Sequence, residues 1–320
     1  MNEEQQLIYN ELISKYNFDE WQKEEIKLGL KDNLDVNLYA KPEFDWRQME
    51  QIRLGLEHNI DVSIYSKNEF NDGQMSQIRQ GLELDIDVSW YAKPEFTWRK
   101  MQEILVGLFE GLDVSYYTKP EFTWKQMEQI KLGLKENLNV SLYTNSEFNE
   151  YQMNVIRRGL EKNLDVNWYA KAEFNEYQME QIYFGLRDRL DISYYTTPEF
   201  SWKQMREIRK GLEKGIDVSY YADLMFNQDK MSEILYGLEK GLDVSVYAKP
   251  EFTPEQMKII RYGIEDGIDP TLYANSEFDY LQMEEIRLGI KHGIDVSIYL
   301  NPSIYWEEME RIREELEGNK

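Results

Sequence analysis

The sequence predicts an all-α tandem-repeat protein, a stack of about twelve two-helix units with a period of 26 residues. Three observations carry that expectation. Phenylalanine recurs at 18, 44, 70, 96, 122, 148, 174, 200, 226, 252 and 278, always 26 apart. Tyrosine keeps the same interval from Tyr39 to Tyr299 and glycine from Gly29 to Gly289, while eleven of the 13 methionines share one column from Met49 to Met309. Within a period, the spacing of Met49, Ile52 and Leu56 marks one apolar helical stripe. A fixed interval of this size is the mark of an array in which each unit buries its apolar face against its neighbours. The expected organisation is an N-terminal cap at 1–17, eleven repeats over 18–303 and a C-terminal capping helix at 304–320.

In the cap, Ile8–Lys15 aligns with Ile60–Lys67 as a degraded short helix. Each repeat then opens with a long helix. Its N-cap is Asp19, Asp45, Asn71, Thr97, Thr123, Asn149, Asn175, Ser201, Asn227, Thr253 or Asp279, all short side chains able to accept from the free N–H groups of a first turn. Glutamine three residues on (Gln48, Gln126, Gln204) completes a capping box in most units. The stop signal is Asn33, Asn59, Gly111, Asn137, Asn163, Gly215, Gly241, Gly267 or Gly293, residues that tolerate a left-handed C′ position, followed by an apolar residue suited to a Schellman contact. A short second helix begins at an Asp N-cap such as Asp61, with Val62 and Tyr65 facing inward. It ends early because proline follows in five units (Pro42, Pro94, Pro120, Pro198, Pro250) and disfavours helix before it. Pro254 and Pro270 fall on first helical positions, where a missing N–H costs nothing. The terminal stretch from Arg311 to Lys320 is charged, as an end repeat requires.

The glycine column needs a compensation, since glycine inside a helix costs roughly 0.5–1 kcal/mol relative to alanine. Close backbone approach between neighbouring repeats is the expected one.

The alternation of a long helix with a short helical turn, and the motif Tyr91-Ala92-Lys93-Pro94-Glu95-Phe96-Thr97-Trp98, resemble the α-solenoid class. Leucine-rich-variant repeats, which alternate α and 3₁₀ helices in slightly shorter units, are similar in architecture. The motif is also similar to tandem repeats in uncharacterised proteins of gut bacteria and their mobile elements. The resemblance implies a right-handed α-solenoid, straight or gently curved. It brings no known site, and the Trp, Tyr and Gly columns depart from the leucine-rich-variant pattern.

Composition narrows the function. The chain carries 30% charged and 14% aromatic residues and a net charge of −23, too apolar for a disordered acidic chain. No apolar run is long enough to span a membrane. The start, Met1-Asn2-Glu3-Glu4, has neither the basic nor the apolar region of a secretory signal. The absence of cysteine rules out disulfides and thiolate zinc sites, so a cytoplasmic location is expected. With only two histidines, no metal or other cofactor is expected. Carboxylates recur as columns (Asp35, Asp61, Asp87, Asp113; Glu43, Glu69, Glu95, Glu121), whereas an active site is a singular constellation. The protein therefore reads as no enzyme. A basic column (Lys27, Arg53, Arg79, Lys131, Arg157, Arg209, Arg261, Arg287, Arg313) has a glutamate three residues before or four after each member. This predicts a solvated, locally neutralised ion-pair face and no direct nucleic-acid binding.

Exceptions to the template point to the function. Leu105, Tyr183 and Leu235 interrupt the basic column, followed by Val106, Phe184 and Tyr236. Phe109 replaces a charged residue one turn on. Trp90, Tyr116, Trp168, Tyr194 and Tyr220 enrich the neighbouring short helices with aromatics, and Leu224-Met225 replaces Pro-Glu. Apolar residues where sister units are charged predict an exposed contact patch, with aromatics as its anchors. The expected function is protein recognition, with a basic partner favoured by the acidic surround. Self-association through the same patch is a further use of it. Two alternatives belong to other classes: an acidic DNA mimic inhibiting a host defence nuclease, and a scaffold without a ligand. Twelve helices about 9 Å apart spread the charge to about one per 4–5 Å, sparser than the one per ~1.7 Å of duplex DNA.

Overall fold

The computed structural model describes residues 1–318; the last two residues of the expected C-terminal cap, Asn319 and Lys320, lie outside the described residues. The chain is all-helical, with no strand among the described residues, and forms two compact units, Met1–Glu161 and Lys162–Lys320. The first holds α1 (Glu3–Lys15), α2 (Glu20–Lys31), α3 (Trp46–Glu57), α4 (Asp72–Glu83), α5 (Trp98–Phe109), α6 (Trp124–Lys135) and α7 (Glu150–Glu161). The second holds α8 (Glu176–Arg187), α9 (Trp202–Glu213), α10 (Gln228–Glu239), α11 (Pro254–Glu265), α12 (Tyr280–Lys291) and α13 (Trp306–Gly318). Within each unit every α-helix packs on the next, the neighbour-to-neighbour packing of a repeat solenoid. The second element of each repeat is a three-residue 3₁₀ helix, as at Val62–Ile64. No helix among the described residues is long and apolar enough to cross a membrane.

The caps explain where each α-helix starts. The Asp45 carboxylate accepts from the Gln48 N–H, and the Gln48 Oε1 accepts from the Asp45 N–H at 2.8 Å. That glutamine does more than cap. Its Nε2 donates 2.7 Å to the Phe70 carbonyl, 22 residues on, so one side chain closes its own helix and pins the next repeat. The same bond runs from Gln22 to Phe44, Gln126 to Phe148, Gln204 to Phe226 and Gln256 to Phe278. Where lysine replaces it, Lys100 and Lys230 reach the Pro120 and Pro250 carbonyls at 2.6 Å instead.

The helices stop as the sequence predicts. Asn33 at φ 57° donates to Leu30 O, and Leu34 N–H reaches back to Gly29 O at 2.9 Å, the Schellman pair. Asp85 and Arg189 adopt the same left-handed conformation, at φ 55° and 58°. Aspartate tolerates that conformation, whereas arginine does not announce it.

Two expectations are corrected. The cap is not a degraded short helix: α1 is a 13-residue α-helix with its own capping box between Asn2 and Gln5, and Gln5 Nε2 donates 2.6 Å to Leu30 O. The glycine column does not serve contact between repeats. A Cβ on Gly55 would collide with the hydroxyl of Tyr65 in the same repeat, and the clash recurs at Gly29, Gly81, Gly107 and Gly133. The reason is a hydrogen bond: Tyr65 Oη donates 3.0 Å to the Gln51 carbonyl, four residues before the glycine. Each such tyrosine folds its 3₁₀ turn back onto its own helix through the notch that glycine leaves. Met49, Ile52 and Tyr65 are fully buried and Phe70 nearly so, whereas Leu56 is half-buried.

Candidate interaction surface

Most of the basic column turns inward, with Lys27, partly exposed and paired with Glu24 on its own helix, as the exception. Arg53, Arg261, Arg287 and Arg313 are all buried. Arg53 Nε donates 2.7 Å to Glu25, 28 residues earlier on the preceding helix, and Arg313 does the same to Glu285. Lys131 pairs with Glu103 at 2.5 Å, Arg261 with Glu233 at 3.0 Å, and Arg79 and Arg209 donate to the amide oxygens of Gln51 and Gln181. Pairs along one helix are present too, as in Arg53–Glu57, Arg79–Glu83 and Arg157–Glu161. Lys131 takes Glu103 and Arg313 takes Glu285 and Glu317, where same-helix Glu128 and Glu310 were expected. Burial opposes the Arg53 charge, but the Glu25 and Glu57 carboxylates outweigh it and hold its pKa above the ordinary value. The predicted solvated face is thus a cross-repeat ladder.

This orientation overturns part of the predicted patch. Leu105, Tyr183 and Leu235 occupy the ladder position, which faces another helix even when arginine fills it, and only 4–5% of their surface remains exposed. They are core residues. Val106 and Phe184 are half-buried. Tyr236 is 43% exposed but lies beneath Arg261, whose guanidinium sits 4.3 Å from its ring centre, and Phe109 stands open at 67%. These four belong to the α-helices.

The 3₁₀ turns supply a different surface. Their third residue is exposed at Trp90 and Tyr116 in the first unit and at Trp168, Tyr194 and Tyr220 in the second. The geometry follows from the turn: its first residue (Val62) and the following tyrosine are buried, which leaves the third at the surface, half-buried at Ile64 and exposed where it is Trp or Tyr. Leu38 continues this register in the first unit, and Leu272 and Ile298 in the second, all exposed. Leu224 and Met225, both exposed, leave the same turn as Tyr220. Along the stripe stand the aspartate caps. Asp61, Asp87, Asp217 and Asp243 accept from a serine hydroxyl and a backbone N–H two residues on, which lowers each carboxyl below its ordinary pKa. These four caps therefore stay anionic beside an apolar edge.

A second aromatic series escaped the sequence reading. At the first turn of the α-helices, Trp21 stacks against Trp46 and Tyr177 against Trp202, each 5.7 Å between centres. Arg99 lies 5.3 Å from Trp98 and 5.2 Å from Trp124. Its signal was legible in these repeats: Trp21, Arg99 and Tyr177 at the second helical position each precede a tryptophan 25 residues on.

No known family model, curated protein or solved structure matches this chain.

Proposed function

We propose that the protein is a non-enzymatic recognition module that binds another protein along the outer edge of its 3₁₀ turns. One observation carries the reading: in each unit aromatic side chains recur on an exposed edge beside aspartates held in their charged form. Large aromatics cost little conformational entropy to hold and supply most of the affinity when a partner covers them. The aspartate column favours a partner that is basic around an apolar patch. The α/3₁₀ alternation supports kinship with leucine-rich-variant architecture.

A selection from a random peptide library on the full chain tests this. Recovered sequences should combine Lys or Arg with Trp, Leu or Phe and keep binding at high salt. A Trp168→Ser/Tyr194→Ser/Tyr220→Ser variant should lose about tenfold or more in affinity. Purely basic peptides that salt displaces, binding the variant as well as the parent, would remove this reading. The charge-driven alternative of a DNA mimic would then take its place.

A further inference from the structure

We propose that the groove between α4 and α5 binds a neutral sugar ring. In an array of near-identical repeats a singular constellation stands out, and the repeat beginning at Phe70 holds one. Gly73 occupies a place that is Trp21, Arg47, Arg99, Lys125, Tyr151 or Tyr177 in other repeats, and Ser76 stands where Glu24, Glu50 and Glu128 do. These small residues open a groove of about 650 Å³ that Gln77, Trp98 and, from the preceding helix α3, Gln51 also line. That volume lies within the ~300–1,000 Å³ of small-molecule sites. A Cβ on Gly73 would stand 3.2 Å from Trp98 Cβ and Cγ, so the glycine lets the indole side chain settle against α4.

The third departure is Leu105. In sister repeats the amide oxygen of the corresponding glutamine accepts from an arginine 28 residues on: Gln51 from Arg79, Gln129 from Arg157, Gln181 from Arg209. Leu105 removes that arginine, and Gln77, only 8% exposed, keeps an Oε1 with no hydrogen-bond partner. A buried amide oxygen left unpaired is destabilising, so a ligand hydroxyl that reaches it gains from the pairing. Gln77 lines the groove with this oxygen sealed from solvent, and because the terminal amide torsion is soft, rotation about it can bring the oxygen to a hydroxyl bound there.

The other groups define the ligand. The part of the Trp98 indole that Arg99 leaves exposed takes the C–H face of a saturated ring, while Gln51, Asn71, Ser76 and Gln77 offer polar groups for its hydroxyls. Among the lining residues Asp72 is the one charged side chain, and its carboxylate disfavours phosphates and carboxylates. Arg99 already lies over Trp98, so a second cation there meets like charge. A neutral, polyhydroxylated ring remains. This site is independent of the 3₁₀ edge.

Saturation-transfer NMR on the full chain with the methyl glycosides of glucose, galactose, mannose and N-acetylglucosamine tests the assignment. At least one should bind, with a Kd of about millimolar. Trp98→Ala should weaken it about tenfold or more. Leu105→Arg, which restores the guanidinium to Gln77, should weaken it as much while the helical circular dichroism at the assay temperature stays that of the parent. That combination separates a lost ligand from a lost fold. The assignment is overturned if no glycoside binds the parent, if binding survives Leu105→Arg, or if tetramethylammonium binds in place of the glycosides.

Discussion

The tyrosine–glycine pair shows how one residue sets the conditions for another. Gly55 lacks a side chain because the Tyr65 hydroxyl occupies that space to reach the Gln51 carbonyl. Gly55→Ala should therefore destabilise by about 1–3 kcal/mol through overpacking, despite alanine's better helix propensity. Tyr65→Phe alone should cost about 1 kcal/mol, the worth of one hydrogen bond. The double variant should recover most of the alanine penalty, because the hydroxyl that clashes is gone. Urea midpoints of the three variants check this, and additive losses would refute it. The glycine column itself was plain in the sequence. Its partner was not, because spacing says which residues share a face of one helix and nothing about which side chain folds back onto it.

At the scale of the element, each helix is closed by chemistry that also sets its neighbour's position. Gln126 caps α6 and holds the Phe148 carbonyl. Gln126→Ala should cost about 1–2 kcal/mol. Gln126→Lys should retain most of the stability, since Lys100 makes an equivalent reach. Thermal denaturation distinguishes them. At the other helix end, Arg189 holds φ 58° without being glycine. Arg189→Gly should stabilise by about 0.5–1 kcal/mol by relieving left-handed strain; a lower Tm would contradict this. The caps were legible because Ser, Thr, Asp and Asn act on their own first turn. The bond to the next repeat was not, since it needs two elements placed side by side.

At the scale of the whole molecule, the repeats share one alkaline liability. Burial raises the column tyrosines above their ordinary pKa, with Tyr299 pushed up to about 12. A raised folded-state pKa contributes stability that is complete below the unfolded value of about 10 and is lost as pH rises through the folded one. The tyrosinate absorbance of these residues should therefore appear together with loss of helical circular dichroism above pH ~10, not before it. A smooth titration on an intact fold would show the hydroxyls to be accessible. The aspartate caps act with the opposite sign: their lowered pKa adds stability above about 3.9 that fades as pH falls through the folded values. The candidate surface belongs to this scale as well, and half of it was readable. Trp90, Tyr116, Trp168, Tyr194 and Tyr220 were marked as aromatics beside the exceptional repeats, yet the exceptions themselves, Leu105, Tyr183 and Leu235, are sealed by the packing.

The sequence by itself determined the repeat, its period, the start and stop of nearly every helix and the apolar stripe, because these depend on contacts within a few residues of the chain. Tertiary structure decided which way the remaining columns face. A position 28 residues from its partner lies outward or inward according to how the next helix is laid down. That placement turned a supposed ionic face into an internal ladder and left the outer residues of the 3₁₀ turns as the open apolar edge.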